Sequence, residues 1–173
     1  MSQRITDILV AVDVERMLSS LSKVKDRYNL IDQQCIHMMT YDGVVISDQG
    51  GSELNIAAGI GDVIRWREVT LSADANYSIV LCYFSPSADL SKYLTPAQLI
   101  PGFKYIPFLK SIDPLQVIPG PRVQNHYWEC SVIDRPESEA IKLQYTFDFT
   151  VYDNTMKPVG YGKWDPFITI TAY

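Results

Sequence analysis

Cys35 and His37 stand two residues apart, a spacing that on a β-strand puts a thiol beside a base, the minimum for an activated nucleophile. No Asn or Asp can be nominated to orient that base, and packing within a sheet accounts for the pair without chemistry. His126 and Trp128 alternate along a predicted strand, with both side chains on one face, and Trp164-Asp165 follows near the C-terminal end. Tryptophan beside a carboxylate is how sandwich proteins hold sugars and flat apolar ligands, so His126, Trp128, Trp164 and Asp165 form the candidate ligand-binding set. The competing reading, which the pattern favours, puts Trp128 in the core and makes Trp164-Asp165-Pro166 a turn with Asp165 bonded to backbone.

Metal chemistry finds less support. Gly61-Asp62-Val63-Ile64-Arg65-Trp66 is similar to the strand openings of cupredoxins, but a blue-copper centre needs two His and a Cys with close downstream spacing. Neither His37 nor His126 has that spacing, and Gly61-Asp62 suits a plain turn. The acidic stretches 72–76 and 136–139 lack the dense oxygen ligands of a calcium loop. Phosphate-binding glycine loops, zinc clusters and serine-nucleophile elbows are missing from the sequence. No catalytic residue, metal site or cofactor is therefore assigned.

The elements that must position these residues belong to a chain of 173 residues, read as one domain over 1–173. Hydrophobic residues make up 47% and charged residues 20%, which excludes disorder and a fibrous repeat, and the 12% aromatic content fits a protein of strands. A net charge of −5 with scattered Lys and Arg argues against nucleic acid as a partner. A membrane role is not expected, because no basic amphipathic helix occurs and the apolar runs Ile8–Val12 and Ile79–Phe84 are too short to span. Asp7 and Asp13 bracket the first run where a signal peptide would continue, so a cytoplasmic location is expected. The odd count of three cysteines fits reduced thiols there.

Ile5–Val12 reads as an interior strand, and Asp13 caps a short helix over Val14–Leu21. A surface loop over Ser22–Asp32 and a strand over Gln33–Tyr41 follow. The central stretch, Ser52–Phe84, reads as three consecutive strands joined by two tight turns, the third apolar on both faces and so placed in mid-sheet. Seven of the ten prolines fall between Ser85 and Pro121, which predicts a long irregular connection with short extended pieces along a sheet edge. Ile141, Leu143, Tyr145, Phe147, Phe149 and Val151 alternate without an error against a polar face, the clearest strand in the chain. Strands with one short helix and no βαβ rhythm predict an all-β, two-layer antiparallel β-sandwich with Greek-key or jelly-roll-like connections.

Asp7–Asp13, Glu53–Ile56 followed by Gly61–Arg67, Tyr127-Trp128, and Gly160-Tyr161 with Trp164–Ile168 occur in an order that is similar to the PixA/AidA inclusion-body protein family of bacteria. The resemblance covers nearly the whole chain. It implies a bacterial cytoplasmic protein, often made under quorum or stationary-phase control, which in some members accumulates in inclusion bodies, and it carries over no catalytic residue. The resulting expectation is a non-enzymatic protein that acts by self-association, a C2 homodimer by default, or by binding a partner. Sheet edges and the aromatic stretch Leu99–Leu109 are the expected contact surfaces. The alternative is a module for a small molecule or glycan, built on the His126, Trp128, Trp164 and Asp165 set.

Overall fold

Apolar residues dominate Ile5–Val12, and this segment forms β1 at the interior of a five-stranded sheet ordered β3-β1-β6-β9-β8. The structure is a computed structural model that describes residues 3–20 and 28–172. In the first sheet β1 is joined by β3 (Ile36–Met39), β6 (Val63–Thr70), β8 (Gln98–Ile112) and β9 (Leu115–Ser131). A seven-stranded sheet faces it, with β2 (Asn29–Leu30), β11 (Pro158–Trp164), β10 (Ile141–Asp153), β12 (Phe167–Ile170), β5 (Asn55–Ala58) and β4 (Val45–Ser47) in order. β7 (Tyr77–Pro86) pairs with β10 beside β12.

The expected two-layer, strand-built architecture is what the chain forms, and both sheets are mixed rather than antiparallel throughout. β1 runs parallel to β6, β5 to β12, and β2 to β11. Alternation of side chains is the same in either direction, so a sequence pattern carries no information on strand sense. One hydrophobic cluster fills the space between the layers, from Ile8, Val10 and Trp66 on one side to Tyr145, Phe147, Phe149 and Val151 on the other. The buried indole of Trp66 packs 4.6 Å from Phe84 and 5.4 Å from Tyr145, ring centre to ring centre, and donates its Nε1 proton to the Tyr145 hydroxyl at 2.9 Å.

The helix α1 covers Val14–Ser20, with Asp13 Oδ1 accepting the Arg16 N–H at 3.0 Å as expected of a cap. Leu21 and most of the predicted loop 22–32 lie outside the described residues. Cys35 falls in a 3-10 turn, Gln33–Cys35, ahead of β3, so the strand expected over Gln33–Tyr41 is shorter.

The three strands of the central stretch are not neighbours. β5 belongs to the larger sheet, β6 to the smaller, and β7 returns to the larger, so both turns cross the sandwich. The first crossing is held by Asp62, whose carboxylate accepts the Gly59 N–H at 2.8 Å and pairs with Arg4, while Gly61 takes a positive φ of 87° open to glycine. Among the described strands β7 has β10 as its one partner, and Tyr83 is exposed, which corrects the mid-sheet placement. The polar outer face of β10 is covered at Thr150, which is buried with its Oγ1 3.0 Å from the Tyr28 hydroxyl.

The larger correction concerns the proline-rich connection. It is a hairpin of two long strands, β8 and β9, in register from Gln98↔Glu129 to Ile112↔Leu115. β9 pairs with β6 only over Trp128–Ser131, so most of the hairpin is a two-stranded ribbon that stands away from the sandwich. In such a ribbon each strand has one partner and half of its N–H groups point outward, so a proline on the outward side removes no ladder bond. Pro107 faces Pro119 across the ribbon, next to a register shift between Tyr105 and Pro107.

Two substitutions test the core. Tyr145→Phe removes the acceptor of the buried Trp66 N–H and is expected to lower unfolding free energy by about 1–3 kcal/mol in urea titrations. Gly162→Ala would drive a Cβ into the Phe149 ring, which faces Gly162 across the β10–β11 pair, and is expected to cost about 1–3 kcal/mol by the same measurement.

Candidate functional site

The register of β6 against β9 decides which polar side chains meet. Trp66 pairs with Trp128 and Arg65 with Glu129. Stepping outward along antiparallel strands brings Arg67 opposite Tyr127 and Glu68 opposite His126. On the outer face Arg65 Nε lies 2.7 Å from Glu129 Oε2, and the guanidinium of Arg67 stacks 4.4 Å from the Tyr127 ring centre. On the inner face His126 Nε2 stands 2.8 Å from Glu68 Oε1. That contact is close but not aligned as a hydrogen bond, and both His126 Nε2 and Glu68 Oε2 are buried without a hydrogen-bond partner.

The paired register ends at Trp66↔Trp128, where β9 leaves the sheet to enter the ribbon. Between the diverging strands a cleft of about 290 Å³ opens, lined by Arg67, Glu68, Asp74, Lys104, Asn125 and His126 with Leu9 and Val69 at its apolar side. A second hollow of about 210 Å³ shares Arg67, Lys104, Asn125 and His126 and continues towards Phe103 and Tyr127. Burial pushes the Glu68 carboxyl above its ordinary range, and His126 and the backbone N–H groups of Leu81 and Glu68 pull it partway back.

Of the four residues in the sequence-derived set, only His126 lines this cleft. Trp128 lies on the inward face of β9, half-buried against the core, and donates its Nε1 proton to the Leu81 carbonyl at 2.8 Å. Trp164 belongs to β11 in the opposite sheet, is 6% exposed, and donates to the Ser52 carbonyl at 2.7 Å. Asp165 follows it in the link between β11 and β12 and accepts from the Gln144 side chain at 2.9 Å. The four are thus divided between the two sheets, and the indole of Trp164 has little face to offer a ligand. Glu68 escaped sequence reasoning because it sits in a strand otherwise accounted for. A carboxylate on the same strand face as Ile64 and Trp66 was the available signal.

Burial works against Cys35 and Cys130 as nucleophiles. Cys35 is buried, its pKa raised by that burial first and by Asp32 and Asp13 second, and His37 Nδ1 lies 3.4 Å from the Gly50 carbonyl. Burial pushes the Cys130 thiol up to about 12. Among the described residues no group of three or more His, Cys, Asp or Glu could hold a metal ion, and no helix is long and apolar enough to cross a membrane.

Two mixed sheets around an aromatic core, with a polar cleft where a long ribbon departs, define a two-layer protein built of strands. The family model of PixA, described as inclusion body protein, matches residues 4–170, and the chain belongs to that family. It is also similar to the crystal structure of an inclusion body protein (PixA) from Burkholderia cenocepacia J2315, with a TM-score of 0.71 over 99% of this chain and 98% of that one. At 12% identity the likeness is one of fold. No curated protein matches the sequence.

The raised pKa of Glu68 has a consequence for stability. The folded state holds this proton more tightly than the unfolded chain, so the contribution is full below the ordinary value of 4.5 and is lost as pH rises through the raised one. In urea titrations from about pH 4 to about pH 8, Glu68→Gln is expected to gain on the wild type as pH rises; a constant difference would show that Glu68 titrates normally.

Proposed function

We propose that the protein acts by self-association, through the β8–β9 ribbon packing against the same ribbon of a second copy. One observation carries this reading: the ribbon is apolar on surfaces that the chain itself leaves bare. Phe103 is 60% exposed, Phe108 50%, Ile112 79% and Leu115 72%, and Tyr105, Ile106, Leu109 and Val117 are exposed beside them. Together they leave much of the ribbon's surface apolar, and exposed apolar surface of this kind marks interaction sites. A two-stranded ribbon is marginal in water by itself, which gives a further reason for it to be covered. A twofold axis lets identical apolar patches cover each other, so a second copy is the occupant that needs no further complementarity.

The test is the mass in solution. Light scattering and sedimentation are expected to give a mass of two or more chains. Replacing Phe108 and Leu115 together by Asp is expected to weaken association by about a hundredfold or more, because a few large apolar side chains carry most of the energy of such interfaces. Both side chains are exposed, so the far-ultraviolet circular dichroism spectrum should stay that of the folded wild type. A wild type that remains a single chain at high concentration, or a double variant with unaltered mass, would overturn the reading.

A further inference from the structure

We propose that the cleft at the root of the ribbon binds a small hydroxy- or amino-carboxylate, with its hydroxyl or amine donating to Glu68 and its carboxylate on Lys104 and Arg67. The inference is independent of self-association.

Its first support is Glu68. The side chain is 8% exposed, and Oε2 has no hydrogen-bond partner. A buried carboxylate oxygen without a donor is costly, and a ligand hydroxyl or ammonium would satisfy it. His126, itself without a hydrogen-bond partner at Nε2, offers a second polar contact at the same spot. Asp74, the other carboxylate of the lining, differs in being partnered, its Oδ1 accepting the Thr70 N–H at 3.1 Å and the Thr70 hydroxyl at 3.2 Å.

The second support is positive charge in the same lining, to which β6 contributes Arg67 from its outer side as well as Glu68 from its inner side. Among the described residues Lys104 on β8 has no ion partner, and Arg67, which stacks on Tyr127, has Asp7 as its one ion partner, at 3.2 Å and with both side chains well exposed. An exposed pair of that kind is readily shared with an incoming anion. A ligand with only an amine would leave these cations unanswered, and one with only a carboxylate would bring like charge towards Glu68. A single small molecule with both groups answers the carboxylate and the cations of that lining together. A volume of about 290 Å³ lies at the small end of ligand sites, which limits the ligand to a few heavy atoms beyond those groups.

The experiment is calorimetric titration of the full chain with L-lactate and L-serine, with propionate and ethanolamine as controls that each lack one of the two groups. Saturable binding of lactate or serine is expected, with the controls weaker by about tenfold or more. Glu68→Gln and Lys104→Ala should each weaken binding by about tenfold while circular dichroism stays unchanged. If Glu68→Gln does not fold, the exposed Lys104→Ala variant decides alone. No saturable binding of either probe up to about 10 mM would overturn the proposal. So would controls that bind as well as the probes, or a folded variant of either kind that binds like wild type.

Discussion

The Trp66–Tyr145 contact is the constraint on which the other arrangements rest. Trp66 comes from the smaller sheet and Tyr145 from the larger, both are essentially without solvent exposure, and the indole donates to the phenol between the layers. A buried donor and a buried acceptor that satisfy each other can be moved only together, because separating them leaves two unpaired groups in an apolar interior. Phe84 packs on both rings, which brings β7 into the same cluster. Trp128 adds a second tie, from β9 to the Leu81 carbonyl of β7. The spacing of the layers and the register of β6 on β9 are thereby set at one point.

That register has consequences on both faces of the sheet. Outside, it aligns Arg65 with Glu129 and Arg67 with Tyr127, partly exposed pairs that contribute little energy but suit only one alignment. Inside, it carries a carboxylate and an imidazole to the place where the interior ends. β9 therefore serves three purposes along its length. Its last residues complete the sheet, His126 and Asn125 wall the cleft, and the portion near Leu115 builds the ribbon.

The ribbon shows how prolines and a long ladder coexist. Proline forbids hydrogen bonds only on the side its nitrogen faces, and a two-stranded ribbon has a free side throughout. The same geometry leaves aromatic and aliphatic side chains without a covering layer. Prolines also blunt the edge against indiscriminate strand addition, which favours packing through side chains over growth of the sheet.

The sequence by itself determined the class of the fold, the positions of most strands, the capped helix after Asp13, and the inward faces of β9 and β10. Those features depend on alternation, helical spacing and capping, which are local and are written in neighbouring residues. Only the tertiary structure decided which strands pair, that β5, β6 and β7 alternate between layers, and that the proline-rich stretch forms a ribbon. It also separated Trp164 from His126 and brought Glu68 to His126 in its place. The physical reason is that alternation records which way a side chain points relative to its own strand, and is silent about the strand beside it. Partners are selected by burial and hydrogen bonding between segments far apart in the chain, and the Glu68–His126 cleft exists only once β6 and β9 have met at Trp66 and then diverged.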